Sequence, residues 1–429
     1  MEIDIVKNEK ERFVIIGGGF GGLEIARRLV KLNVQVVLID RHNYHQFQPL
    51  FYQVATAGLE PSSIIFPFRR NFQRKDNFHF RMAEVDRIDG EKKIVHTSIG
   101  YLTFDKLIIA TGATNNFFGN NEIEEHALAM KSINESLRIR NRVLEQFEEA
   151  LSVPENEKKE HITFAIAGGG PTGVELAGSI AEMKRYILPK EYPELDFDQM
   201  RIILVEGAPR VLNAMLEKSS MKAKKYLEGL GVEVLVNTRV NGYDGTELTL
   251  NNDTTIRAKT LIWAAGIKGN YIDGIPEDAK VRGNRISVNQ FNQIIGMEDV
   301  YAIGDVANMA NVDLAYPNGH PQLAQVAIQQ GNRFYKNMKD QLRGKEMTPF
   351  KYKNLGTMAT VGRNKAVVEL PKMKFYGFFA WLVWMLVHLR SILGVRNKFI
   401  VFLNWVWNYF TYNLSLRVII KGGANKDQD

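Results

Sequence analysis

The sequence has no cysteine. Disulfides and thiol catalysis are therefore excluded, while the absence says little about cellular compartment. The opening MEIDIVKNEKERF has little apolar character and is too charged to read as a secretion signal. Near the C-terminus the charge-free stretch FYGFFAWLVWMLVHL, Phe375 to Leu389 with His388 taken as neutral, has 15 residues. That is short of the roughly 20 a membrane-spanning helix needs. Most of the chain also lacks net charge. From Pro371 onward there are eight Lys/Arg against two Asp/Glu, so residues 1–370 carry only +1 of the total +7. A nucleic-acid-binding face would spread positive charge over the body, so no nucleic-acid partner is expected. Four of the five tryptophans, Trp381, Trp384, Trp405 and Trp407, sit in the same basic tail.

What is present fits a globular protein of two or three domains: 429 residues, 45% hydrophobic and 24% charged. One phrase occurs twice. IIGGGFGGLEIAR begins at Ile15, and IAGGGPTGVELAG begins at Ile166. In the first copy, Val14, Ile15 and Ile16 form an apolar run suited to a buried parallel strand. Gly17, Gly19 and Gly22 follow at GxGxxG spacing, which allows a tight turn, close approach of a pyrophosphate and close packing of the next helix. The helix N-terminus offers free N–H groups and partial positive charge to phosphates. The next strand, VQVVLID, ends in Asp40, placed to accept hydrogen bonds from a ribose. The second copy repeats this with Gly168, Gly170 and Gly173, and the strand MRIILVE ends in Glu206. Here LPKEYPELDFDQ lengthens the connection, which reads as a surface insertion.

Two fingerprints imply two dinucleotides, most economically a resident flavin and a visiting nicotinamide. KLIIATGAT (Lys106 to Thr114), TLIWAAGI (Thr260 to Ile267) and DVYAIGDVA (Asp299 to Ala307) are each an apolar strand followed by a small-residue turn. With the fingerprints, these elements resemble, in this order, the two-dinucleotide-binding-domain flavoprotein reductases over roughly residues 12–335. The resemblance implies an α/β fold of two Rossmann-like domains. It implies FAD on the first fingerprint, with Gly17, Gly19, Phe20, Gly21, Gly22, Asp40, Arg41, Val85, Thr111, Gly112, Gly304, Asp305 and Ala324 as cofactor-binding residues. It implies NADH on the second, with Gly168, Gly170, Gly173 and Glu206. The expected boundaries are 1–120 and 285–345 for the two parts of the FAD-binding domain, 121–284 for the inserted NADH-binding domain, and 346–429 for a C-terminal platform with amphipathic anchor helices.

Without cysteine, electrons must pass directly from reduced flavin to the acceptor, which leaves quinones, iron–sulfur or haem proteins and dioxygen. Pro321 suits the first turn of a helix continued by QLAQVAIQQ. Gln325 and Gln329, four apart, share a face of that helix and carry amides able to donate to a quinone carbonyl. By spacing alone, a helix packed on the FAD domain with solvated glutamines is the more ordinary outcome. AQVAIQQ is similar to the quinone-site motif of the type II NADH:quinone oxidoreductases, and FQPLFYQVATAGLEP (Phe47 to Pro61) to that family's flavin-side loop. This resemblance extends over nearly the whole chain. It implies a membrane-bound, non-proton-pumping NADH:quinone oxidoreductase without metal, and Glu175 as a catalytic acid. Glu24 occupies the equivalent place in the first copy, so a first-turn acid can also serve the helix dipole alone. A catalytic lysine near the flavin is implied at Lys374, with Lys372 as the alternative. A reductase for a soluble, ferredoxin-type protein is the competing enzyme reading.

The tail joins Phe375–Leu389 to FIVFLNWVWNYFTYNLSL (Phe399 to Leu416), which is interrupted by Asn404, Asn408 and Asn413. RSILGVRNK lies between them. Aromatic residues with flanking cations (Arg390, Arg396, Lys398, Arg417) suit helices lying in a bilayer interface. A buried dimer interface or a spanning hairpin are the alternatives, the latter disfavoured by length and asparagines. The expected partners are a quinone and membrane lipid, with a second copy of the chain as a further candidate. The expected location is the cytoplasmic side of the cell inner membrane. KNLGTMATVGRNKAVVEL (Lys353 to Leu370) alternates as β-strands do and is expected to join tail to body.

Overall fold

The computed structural model describes residues 1–412 and 417–419. The chain divides into two compact units, and each is assembled from three segments. The first comprises residues 1–45, 66–114 and 267–354, and the second residues 46–65, 115–266 and 355–429.

The first unit is built on a five-stranded sheet. Arg12–Ile16 is central and pairs in parallel with Gln35–Asp40 on one side and Lys106–Ile109 on the other. Phe78–Met82 and Val300–Ala302 complete the edges, also in parallel. In chain order this is 3-2-1-4-5, the arrangement of a dinucleotide-binding sheet. Phe13 to Ile16 and Val36 to Ile39 are buried on both faces, which explains their unbroken apolar runs. The fingerprint helix Phe20–Leu29 packs against the late helix Ala324–Gln341. A Cβ at Gly331 would lie 3.1 Å from Gly21 O.

The second unit repeats the plan. Thr163–Ala167 is flanked in parallel by Arg201–Val205 and Thr260–Trp263, with Val232–Leu235 and Leu128–Ala129 at the edges. The likeness goes beyond the glycine phrase. In each unit a three-stranded antiparallel meander directly precedes a strand that pairs with the central one: residues 85–103 before Lys106–Ile109 in the first and 240–257 before Thr260–Trp263 in the second. LPKEYPELDFDQ lies largely at the surface, as the sequence suggested, but is anchored by three buried apolar residues. It forms two short helical turns, Leu188–Glu191 and Phe197–Gln199, and buries Leu188, Leu195 and Phe197, the last 6.0 Å from the Phe147 ring. Its apolar residues are the reason it folds back.

Residues from 355 onward belong to the second unit. Thr357–Thr360, Ala366–Glu369 and Lys374–Tyr376 form an antiparallel sheet, followed by helices Phe378–Ser391 and Val395–Thr411. Sequence reading placed Arg396 and Lys398 in a nine-residue link. In the structure only Ile392 to Gly394 separate the helices, turning at Gly394 with φ +80°, and both cations stand in the second helix. Asn413 lies outside the described residues. Among the described residues, no helix is long and apolar enough to cross a membrane.

Candidate functional site

The two glycine turns have nearly identical geometry. Gly17 and Gly168 have φ of +96° and +108°, a region open to glycine, and a Cβ on either would meet a backbone oxygen at 2.5 Å. A Cβ at Gly22 or Gly173 would strike the carbonyl oxygen of Gly17 or Gly168 at 1.9 Å, so strand and helix touch backbone to backbone. Gly19 and Gly170, by contrast, face open space at the helix start. That combination fits a pyrophosphate resting on each turn.

The acids ending the second strands also correspond. Asp40 accepts N–H groups of Gly18 (2.6 Å) and His42 (2.8 Å), and Glu206 those of Gly169 (2.5 Å) and Ala208 (2.6 Å). Each acid thus ties its strand end to the glycine turn. Its oxygens keep lone pairs for a ribose. The longer connection before Glu206 does not displace it. Burial raises the Asp40 carboxyl above its ordinary range.

Elsewhere in the first unit, Thr111 Oγ1 donates to Asn270 O (2.7 Å), and Asn270 Nδ2 donates to Thr111 O (3.0 Å), fixing the turn at Gly112. The ring of Phe20 stands 5.2 Å from that of His45 in an edge contact, Val85 opens a meander strand, and Arg41 is exposed. Gly304 and Asp305 lie in one helical turn. Gly304 N–H donates to the buried Gln330 (2.7 Å), a partner sequence reading did not single out.

The helix carrying Gln325 begins at Ala324, with Leu323 as its cap, and Pro321 lies before it. This corrects the expected start. Leu323 N–H bonds back to Pro321 O (3.0 Å), a turn that precedes the helix. Gln325 is half-buried. Gln329 shares its face, but both polar atoms of the Gln329 amide are engaged: Nε2 donates to Lys353 O (2.9 Å), and Oε1 accepts Lys353 N–H (3.0 Å).

Glu175 lies in the second unit, on the fingerprint helix Pro171–Tyr186. It is buried and accepts Thr360 N–H at 3.3 Å. Burial lifts its carboxyl to about 8, a rise only partly offset by Thr360 N–H and the nearby Trp384 indole, which has no hydrogen bond of ordinary geometry. Glu175 is therefore a neutral acid at pH 7. Tyr52, on the short helix Phe51–Ala55, is buried beside it and pushed well above the ordinary tyrosine range, first by burial and then by Glu175. Trp384 stacks on His388 at 4.0 Å, and His388 Nδ1 donates to Trp384 O (2.7 Å). Burial lowers the imidazole to about 4 and keeps it neutral.

Next to these groups is a cavity of about 130 Å³, lined by Tyr52, Thr360, Glu182, Arg363, Trp384 and Trp405 among others. It is comparable to the roughly 150 Å³ space that admits a single benzene ring. The Arg363 guanidinium donates to Tyr409 O (2.8 Å) and Asn408 O at the end of the last helix and lies over the Tyr412 ring at 3.6 Å. None of the lining residues except Tyr52, Gln53, Thr56 and Gly58, all within the quoted loop, stood out in the sequence as a site. The available signal was Glu182, seven residues after Glu175 on the same helical face. Lys374 and Lys372 are both exposed, Lys374 on an edge strand, and neither lines the cavity.

Two glycine cradles with matching acids and a buried neutral carboxyl define a two-dinucleotide flavoprotein reductase. In agreement, the family described as pyridine nucleotide-disulphide oxidoreductase matches residues 11–331, and the NDH2 C-terminal domain matches residues 354–412. The type II NADH:quinone oxidoreductase Ndh of Mycobacterium tuberculosis is 34% identical over 94% of this chain and 89% of its own length. An external NADH-ubiquinone oxidoreductase of Saccharomyces cerevisiae mitochondria is 28% identical over 94% and 81%. The solved structure of NDH2 from Plasmodium falciparum in complex with NADH has the same fold, with a TM-score of 0.88 at 22% identity, covering 96% of this chain and all of that one. The chain belongs to the type II NADH:quinone oxidoreductases.

Proposed function

We propose that this protein oxidises NADH and reduces a quinone at a membrane surface, through FAD and without pumping protons. The observation that carries this reading is Glu175. It is a carboxylic acid kept protonated by burial, on the helix that opens from the second cradle, in the unit that also bears the apolar helices Phe378–Ser391 and Val395–Thr411. Quinone reduction consumes protons as well as electrons, and such an acid holds one ready.

FAD occupies the first cradle, held by the open turn at Gly19, by Asp40 and by the Gly304–Asp305 turn. Bound there, it supplies the two-electron exchange between a hydride donor and a quinone. NADH occupies the second cradle, with Glu206 against its adenosine ribose. Gln325 donates to a quinone carbonyl. Gln329 braces the chain at Lys353 and contributes to the quinone site only through that brace. The division of labour is FAD on residues 1–120 and 285–345, NADH on 121–284 and membrane attachment on 346–429. The protein attaches to the cytoplasmic side of the cell inner membrane, where dimerisation would place two anchors on one surface.

The decisive experiment is anaerobic stopped-flow spectroscopy of the holoenzyme. NADH should bleach the flavin, and a quinone should restore it. Bleaching that no quinone reverses, but a ferredoxin-type protein does, would overturn the reading.

A further inference from the structure

Glu182 is a second carboxyl that this reading leaves unused. It follows Glu175 by seven residues on the helix Pro171–Tyr186, so two turns, roughly 10 Å of rise, separate two acids on one face. Gly178 lies between them. A Cβ there would come within 3.0 Å of Val361 C, so helix and turn meet backbone to backbone. That closeness lets one turn of chain hold both acids: Thr360 N–H donates to Glu175, and Arg363 N–H donates to Glu182 at 2.5 Å. Glu182 lines the cavity itself. Glu175 stands behind Thr360, Trp384 and Tyr52, which line it too. The cavity is roomy enough for several water molecules and has the polar partners they require.

Stoichiometry gives the arrangement a task. NADH, one proton and a quinone yield NAD⁺ and a quinol, so each turnover draws one proton from water. Glu175 is buried and cannot draw it directly. We propose that Glu182 takes this proton from water at the cavity and passes it, through cavity water and the Tyr52 hydroxyl, to Glu175. The inference rests on Glu175 as the proton-holding acid of quinone reduction. In each cycle the O–H bond of Glu175 breaks toward the quinone. The carboxylate regains a proton as the O–H of Glu182 breaks, and Glu182 is reprotonated from water. No electrons move in the relay.

The surroundings suit the task. Burial raises the Glu182 carboxyl, while Arg363 and Lys365 on the turn draw it part of the way back, so it can both hold and release a proton. The other titratable groups around the cavity are Tyr52, Tyr186, Tyr409 and Tyr412, with His388 beside Trp384 held neutral. Arg363 itself is occupied by the carbonyls of the last helix.

The test is Glu182→Gln in the holoenzyme, since a glutamine oxygen can still accept Arg363 N–H. Flavin bleaching by NADH should stay within about two-fold of the parent, whereas reoxidation by quinone should slow about ten-fold or more at pH 8. Across pH 6 to 8 the variant's quinone step should fall steadily where the parent is nearly flat, and its solvent deuterium isotope effect should grow. Glu182→Asp should restore much of the rate, and in Glu182→Ala added formate should rescue it. An unchanged pH profile and isotope effect in Glu182→Gln would overturn the proposal. If that variant loses its flavin, Glu182→Asp and formate rescue decide instead, and no rescue overturns it. A parent enzyme that fails to reduce quinone at all would overturn the functional reading rather than this relay.

Discussion

Glu175 is a residue whose cost and use are the same property. Its carboxyl has an ordinary value of 4.5 and a folded value of about 8, raised by burial. Between those two values the folded chain keeps a proton that the unfolded chain releases. Stability is therefore fully present below 4.5 and is lost as pH rises to about 8. A glutamine in this position would be neutral throughout and could accept the same Thr360 N–H. Melting temperatures of Glu175→Gln and the parent should therefore diverge in the variant's favour from about pH 5 to pH 8, then run parallel. The variant should meanwhile lose quinone reduction. A temperature difference constant across that range would show that the acid is ionised in the folded protein.

At the scale of elements, the last helix shows how one sequence serves two solvents. Asn397, Val401, Trp405 and Asn408 recur at helical spacing and face inward. Asn397 donates to Ile65 O (2.9 Å), Trp405 Nε1 to Gln53 (2.8 Å) and Asn408 to Gly58 O (3.2 Å), so this face holds the loop of residues 46–65. Phe399, Phe402, Leu403, Val406, Trp407 and Phe410 are exposed on the other side. Of the asparagines that counted against a spanning helix, Asn408 is here hydrogen-bonded to protein. Two tryptophans two residues apart should thus behave oppositely. Trp405 is 8% exposed, and Trp405→Ala should cost about 3 kcal/mol in thermal unfolding. Trp407 is 57% exposed, and Trp407→Ala should leave unfolding nearly unchanged while weakening co-sedimentation with vesicles. The sequence carried the alternation of apolar and polar positions and the acids after each glycine turn, because these are local signals. It did not carry their distant partners. Thr360 lies 185 residues from Glu175, and Lys353 24 residues from Gln329, and no periodicity records such contacts.

At the scale of the molecule, the exposed apolar faces of the two final helices outweigh their charge. Arg417, expected at the rim, is instead paired with Glu191 at 2.5 Å, and Lys398 donates to the carbonyl of Arg390 (2.7 Å). Fewer cations are left for headgroups, each worth about 1 kcal/mol, than the composition suggests. Apolar burial at roughly 25 cal/mol per Å² dominates. Molar salt should therefore leave the protein on membranes and detergent should remove it. Removing residues from Phe375 onward should leave it in the supernatant after ultracentrifugation. A truncated chain that still pellets with vesicles would point to a different use for the helices.

The interleaving of segments also governs how the protein is made. The strand Val300–Ala302 borders Lys106–Ile109 in the first sheet, and the helix Ala324–Gln341 packs on the first fingerprint helix. The glycine turn at residues 17–22 is among the first pieces to leave the ribosome, yet its sheet closes only after residue 302 of 429 has followed. Because domains close as units, this sheet can be completed only late in synthesis. A ribosome that stalls in the middle of the message releases a chain with its first glycine turn written in full and nothing yet built to hold it.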